Sequence, residues 1–156
     1  MSGGGRAGGQ EFDGTGLRVV IVAGRWHEAI TDGLIAGAQR VLDAAGAEVE
    51  IVRVPGAFEL PVVANAVLEA GADAVVALGV IVRGGTPHFD FVADAATSGL
   101  TRVALDTGKP VGFGVLTLDD EQQGLDRAGL PRSKEDKGAE AAAAALETAI
   151  ILRDLR

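Results

Sequence analysis

Four short runs rich in Val, Ile, Leu and Ala, at residues 17–23, 49–54, 74–81 and 111–118, alternate with stretches whose apolar residues recur at helical spacing. Nothing else in the chain restricts its fold as much. Short apolar runs of this kind fit strands buried between two layers, and parallel strands need helical crossovers to connect them. The intervening segments supply these. Residues 28–45 set Ile30, Leu34, Ala38, Val41 and Leu42 on one helical face and stop at Gly46, a suitable C′ residue. Residues 59–70 read as a second helix, and 89–106 read as a third with Val92, Ala96, Leu100 and Val103 inward. Asp119 is expected to cap a short helix, and a final helix is expected from about 134 to 155.

Right-handed crossovers on four parallel strands put helices on both faces of one sheet. The expected fold is therefore α/β, a three-layer αβα sandwich with a flavodoxin-like four-stranded parallel sheet of order 2-1-3-4. Residues 1–16 are glycine-rich with few apolar side chains, a composition that reads as a flexible tail, which leaves 17–156 as one domain. Ligands in such sheets bind at the carboxyl ends of the strands. Three loops with unusual residues leave those ends: Gly24-Arg25-Trp26-His27, Pro55-Gly56-Ala57-Phe58-Glu59, and Val82-Arg83-Gly84-Gly85-Thr86-Pro87-His88. They can converge on one crevice.

Composition narrows the function. With 14 basic and 22 acidic side chains the net charge is −8, and the rings number five Phe and one Trp with no Tyr. That argues against a nucleic-acid groove with stacking platforms. Cysteine is absent, which removes disulfides, thiolate metal sites and a cysteine nucleophile, and fits a reducing compartment. No apolar run approaches the ~20 residues that span a bilayer, so a membrane partner is not expected and a cytoplasmic location is. His27-Glu28 begins like a zinc-protease helix, but Thr31 stands where the second histidine belongs, and two histidines in all make a metal site improbable. Gly108-Lys109-Pro110 lacks the other parts of a phosphate-binding P-loop, and none of Ser2, Ser98 and Ser133 sits on a nucleophile elbow.

What survives is Gly84-Gly85-Thr86-Pro87-His88, directly after a strand and before a long helix. Two glycines let backbone approach an anion closely, and N–H groups at a helix start point where a phosphate could sit. Pro87 suits the first helical turn, and His88 beside the anion could move protons near neutral pH. The loop is read equally well as a turn that needs two glycines, with a histidine that packs locally. Trp26 could stack on a planar heterocycle or fill a core or an interface. Helix capping alone explains Glu59, and Arg127 and Lys137 are by themselves ordinary surface cations. In the last helix, residues 139–151 are almost entirely apolar apart from Glu140 and Glu147. A helix apolar around most of its circumference expects a second apolar neighbour, and so a homo-oligomer; high alanine propensity is the alternative.

Together these segments resemble the lumazine synthase (6,7-dimethyl-8-ribityllumazine synthase) family along essentially the whole chain after Gly16. The resemblance rests on Gly56-Ala57-Phe58-Glu59-Leu60-Pro61, on residues 77–90 (ALGVIVRGGTPHFD), on Asp126-Arg127-Ala128-Gly129 and on Asp136-Lys137-Gly138. It implies condensation of 5-amino-6-(D-ribitylamino)uracil with 3,4-dihydroxy-2-butanone 4-phosphate, with release of phosphate and two waters and with no metal or organic cofactor. It implies that Trp26 stacks on the pyrimidine. Ala57, Phe58 and Glu59 with Val80, Ile81 and Val82 hold its edge and ribityl chain. Gly85, Thr86 and Arg127 grip phosphate, His88 shuttles protons, and Lys137 is a supporting cation. Phe113 and Arg127 would come from a neighbouring subunit, so that the site is shared.

Two departures stand out: Arg83 occupies a position where many members carry an acid, and Trp26 replaces a common phenylalanine. The stretch between Arg127 and Lys137 is longer than in members that close into shells and is similar to that of free pentamers, so a pentamer is expected before a 60-subunit shell. Riboflavin synthase is a further expected partner. The competing activities are an archaeal-type riboflavin synthase, which would dismutate the lumazine, and a flavin-holding relative without turnover.

Overall fold

The computed structural model describes residues 11–156 of the chain. Ten elements follow one another: β1 (Arg18–Gly24), α1 (Glu28–Ala44), β2 (Glu48–Val54), a 3-10 turn (Ala57–Glu59), α2 (Leu60–Glu69), β3 (Ala74–Val82), α3 (His88–Thr107), β4 (Val111–Leu118), α4 (Glu121–Leu125) and α5 (Lys137–Leu155). The four strands form one parallel sheet of order β2-β1-β3-β4, as the pattern of apolar runs implies. The central strands β1 and β3 are almost wholly buried. Alternate residues serve opposite layers. Val19, Ile21, Val76 and Leu78 pack with α1 and α5, while Val20, Val22, Val75 and Ala77 pack with α2 and α3. Each of the larger side chains contributes about 1.5–3 kcal/mol of burial, which holds the strand ends in fixed register.

The helix α1 ends as its sequence specifies. Gly46 takes φ 77° and donates to the Asp43 carbonyl, while Ala47 donates to Leu42, so a left-handed glycine closes the last turn. Two other helix starts differ from expectation. Asp120, rather than Asp119, caps α4 through a 3.0 Å bond from the Gln123 N–H, because the Asp119 carboxylate is engaged by Arg83. The last helix begins at Lys137 instead of about residue 134. The N–H groups of Lys134 and Glu135 both go to the Asp126 carbonyl, at 2.8 and 3.0 Å, and Ala128 pairs with Asp136 in an antiparallel bridge. Those pairings satisfy the backbone that a helix would otherwise use, and the Asp136 carboxylate then caps α5 on the Ala139 N–H.

The apolar circumference of α5 is used mostly inside the chain. Gly138, Ala141, Ala142, Ala145, Leu146 and Ala149 are buried, and α5 packs against α1, β3 and β4. The approach is close enough that a Cβ on Gly138 would collide with the Leu34 carbonyl. The small residues of α5 therefore answer to α1 on one side and to Gly112 and Gly114 of β4 on the other, and the large exposed rings lie elsewhere, at Trp26, Phe58, Phe91 and Phe113. The expected tail falls largely outside the described residues. Of its described part, Gly14 is buried and hydrogen bonded to Ala45 at 2.7 Å, so ordered chain begins before Gly16. No helix among the described residues is long and apolar enough to cross a membrane.

Candidate active site

The carboxyl ends of β1, β2 and β3 lie side by side, with Gly24 opposite Val54 and Ala23 opposite Leu78. The loops that leave them are therefore neighbours. After β1 the chain carries Trp26 outward, where it is 67% exposed. Its indole ring rests on Gly56 of the next loop. A Cβ there would stand 3.2 Å from the ring's Cδ1 and Nε1, so the absent side chain is what lets the ring come this close to the backbone. Arg53 closes the base of the turn by donating to the Gly24 carbonyl at 2.9 Å.

After β2 the 3-10 turn buries Ala57, leaves Phe58 exposed and half-buries Glu59. Glu59 is the N-cap residue of α2, yet its side chain accepts no capping hydrogen bond. Its carboxylate still stands at the helix start, where the dipole favours it without a hydrogen bond.

After β3, residues 83–88 are all exposed. Arg83 is anchored by its N–H to the Leu118 carbonyl at 2.7 Å and by its guanidinium to Asp119 at 3.0 Å, and it lies over the Phe89 ring at 4.4 Å. Those contacts draw the cation away toward β4 and α3. Gly84 and Gly85 have no atom near the position of a Cβ, and neither takes a positive φ. A turn that requires glycine is thus not what this loop is. Pro87 is the N-cap of α3 and His88 its first residue, with the His88 N–H 3.5 Å from the Thr86 hydroxyl.

These three loops enclose a cavity of about 680 Å³, lined by Trp26, His27, Gly56, Ala57, Phe58, Glu59, Val80, Ile81, Val82, His88, Phe91 and Val92. Its walls are mainly apolar with two imidazoles and one carboxylate at the rim, which suits a planar, partly polar ligand. A second cleft of about 300 Å³ runs along β4 and contains Phe113, Gln123, Arg127 and Lys137. Arg127 is held there by a bond to the Gln123 carbonyl at 2.9 Å, and the Lys137 N–H donates to the Arg127 carbonyl at 2.9 Å. One protomer therefore gathers Trp26, Ala57, Phe58, Glu59, Val80, Ile81, Val82 and His88 in one place, and Phe113, Arg127 and Lys137 in another. Gly85 and Thr86 stand exposed on the loop beside the first cavity and line neither.

Phe91 and His27 are lining residues that the sequence reading passed over. Phe91 is three residues beyond His88 on the same helix, so helical spacing already put it on the same side. His27 was placed in a crevice loop by its position after β1 but given no role, and its left-handed backbone is displayed only by the folded chain.

The family model described as 6,7-dimethyl-8-ribityllumazine synthase matches residues 16–153. The chain is 76% identical to the 6,7-dimethyl-8-ribityllumazine synthase of Leifsonia xyli subsp. xyli over 157 aligned positions, covering 100% of this chain and 99% of the relative. It is 75% identical to the protein of the same name from Clavibacter sepedonicus, covering 93% of this chain and 91% of the relative. For that of Nocardioides sp. the identity is 61%, with 99% and 97% covered.

Proposed function

The chain belongs to the 6,7-dimethyl-8-ribityllumazine synthase family, and from that premise we propose how its residues divide the work. It is a transferase of riboflavin biosynthesis: it condenses 5-amino-6-(D-ribitylamino)uracil with 3,4-dihydroxy-2-butanone 4-phosphate to 6,7-dimethyl-8-ribityllumazine, phosphate and water.

The pyrimidine occupies the larger cavity, stacked on Trp26 and bordered by Ala57, Phe58 and Glu59, with Val80, Ile81 and Val82 along its edge and ribityl chain. The phosphate of the second substrate sits on Gly85 and Thr86. The observation that carries this reading is the bare backbone at Gly84 and Gly85, which neither crowding nor a positive φ explains. Close approach of an anion to the N–H groups at the start of α3 does explain it. His88, the first residue of that helix, moves protons as the imine forms, phosphate leaves, the ring closes and water departs. The substrate amine is its own nucleophile, so the protein mainly positions the partners. No cofactor is assigned a step.

Arg127, with Phe113 and Lys137, completes the site from an adjacent subunit. Their separate cleft and the half-exposed Phe113 ring on the edge strand β4 support this division. The working form is a homo-oligomer, a pentamer before a 60-subunit shell, acting in the cytoplasm on small molecules, with riboflavin synthase as the consumer of its product. Residues 17–156 act as one catalytic domain. The test mixes purified protein with both substrates and follows lumazine absorbance and phosphate release. Turnover above the spontaneous rate, with one phosphate per lumazine, is expected. Flavin formed from lumazine alone, or binding without phosphate release, would overturn it.

A further inference from the structure

We propose that Thr31 is a positioning residue, which sets the Trp26 ring for stacking by donating its buried hydroxyl to the Trp26 carbonyl, at the strained turn that enters α1. This rests on the reading that Trp26 meets the pyrimidine. Thr31 is the one fully buried polar side chain among the described residues, set in α1 between Ile30 and Leu34 of the core. A valine would fill the same volume without a hydroxyl to satisfy, so the hydroxyl needs a reason.

Its reason lies at the start of the helix. The Thr31 hydroxyl donates to the Trp26 carbonyl at 2.7 Å, while the Thr31 N–H donates to the His27 carbonyl at 3.0 Å. The second is the first i→i−4 bond of α1, which any residue but proline would make, so the hydroxyl bond to Trp26 is what threonine adds. Between the two carbonyls His27 takes φ 54° and ψ 66°, the only left-handed non-glycine conformation among the described residues, and its side chain makes no capping bond. Such a conformation persists only where the surroundings over-determine it, and it concentrates at functional sites. Next along the helix, Asp32 lies 3.8 Å from Arg53, whose guanidinium holds the Gly24 carbonyl. Consecutive residues of α1 therefore tie down both ends of the turn.

The Trp26 ring is mostly exposed, with Gly56 beside its Cδ1 and Nε1 atoms. Packing alone leaves the ring little restrained, so its direction is set through its backbone. That makes the Trp26 carbonyl the lever and Thr31 the hand on it, which matters for a reaction whose rate depends on where the pyrimidine lies.

Trp26 is the sole tryptophan, so its emission reports the turn directly. Thr31→Val should lower the emission anisotropy of the unliganded protein. It should also raise KM for 5-amino-6-(D-ribitylamino)uracil about tenfold, with kcat and KM for the butanone phosphate held within about twofold. Thr31→Ser, which keeps the hydroxyl, should restore both readouts. If Thr31→Val does not fold, Thr31→Ala removes the same hydroxyl with less volume and is measured in the same way. Unchanged anisotropy and KM without the hydroxyl, or an equal rise in both KM values, would overturn the proposal. If anisotropy falls but added pyrimidine leaves wild-type emission unaltered, the restraint by Thr31 stands and the stacking role of Trp26 is what fails.

Discussion

Arg127 and Glu135 face each other across the turn that leads into α5, Nε to Oε2 at 3.5 Å, and Lys137 reaches the other oxygen of the same carboxylate at 3.5 Å. The carboxylate holds two cations in one cleft and leaves the guanidinium partly exposed. A phosphate ester bound there, as proposed, would meet a donor that is already oriented. Charge-assisted bonds of this kind contribute about 1.5–3 kcal/mol. Arg127→Ala should therefore raise KM for 3,4-dihydroxy-2-butanone 4-phosphate about 10- to 100-fold, while KM for the pyrimidine changes little. Steady-state kinetics with each substrate varied in turn checks this, and an equal change in both constants would contradict the assignment.

His88 lies at the rim of the larger cavity, exposed at the first position of α3. In the proposed role of proton shuttle it would act on reacting atoms more than on ground-state binding. His88→Ala should lower kcat about 10²- to 10⁴-fold, with pyrimidine affinity kept within a few-fold. Single-turnover absorbance and an equilibrium pyrimidine titration separate the two effects. A large loss of affinity with kcat preserved would mark His88 as a binding group instead.

The two clefts of one protomer carry complementary parts of the proposed site. If adjacent subunits join them, Arg127→Ala and His88→Ala proteins should rescue each other. Equal mixing under conditions that exchange subunits should restore activity toward about a quarter of wild type, since half the interfaces retain each group and the choices are independent. Mixed oligomers verified by native mass spectrometry with no regained turnover would show that Arg127 and His88 act within one chain.

At Gly85 a methyl group would meet no protein atom, and the backbone is not left-handed. Gly85→Ala should leave thermal stability unchanged within about 0.5 kcal/mol, as surface substitutions usually do. It should nevertheless raise KM for the phosphate substrate, because the methyl occupies the approach to the N–H groups. Thermal denaturation and kinetics on the same preparation test it. Equal stability with equal KM would remove phosphate binding from this loop.

Much of the scaffold was legible in linear form. The runs at β1 and β3 are apolar on both faces because each is sandwiched, and Gly46 closes α1 because only a residue without a Cβ takes that conformation cheaply. The loop Gly84-Gly85-Thr86-Pro87-His88 was conspicuous for a different local reason, two glycines and a histidine between a strand and a helix start. The start of α5 was not legible, since residues 134–136 have helix-compatible composition and lose it to pairing with Asp126 and Ala128, partners distant along helical geometry. Nor did the small residues of α5 announce that they serve α1 and β4 of the same chain rather than a second subunit, because burial against either partner demands the same small side chains.

The sequence by itself determined the order of strands and helices, the glycine-bounded turns and the identity of the chemistry-bearing loops, all of which depend on residue-by-residue preferences within a few positions. Only the tertiary structure decided that Arg127 and His88 occupy different clefts of one chain, that Thr31 reaches back to the Trp26 carbonyl, and that His27 is held left-handed. Those relations depend on crossovers packing at fixed angles against a twisted sheet, and spacing along the chain carries no record of that packing.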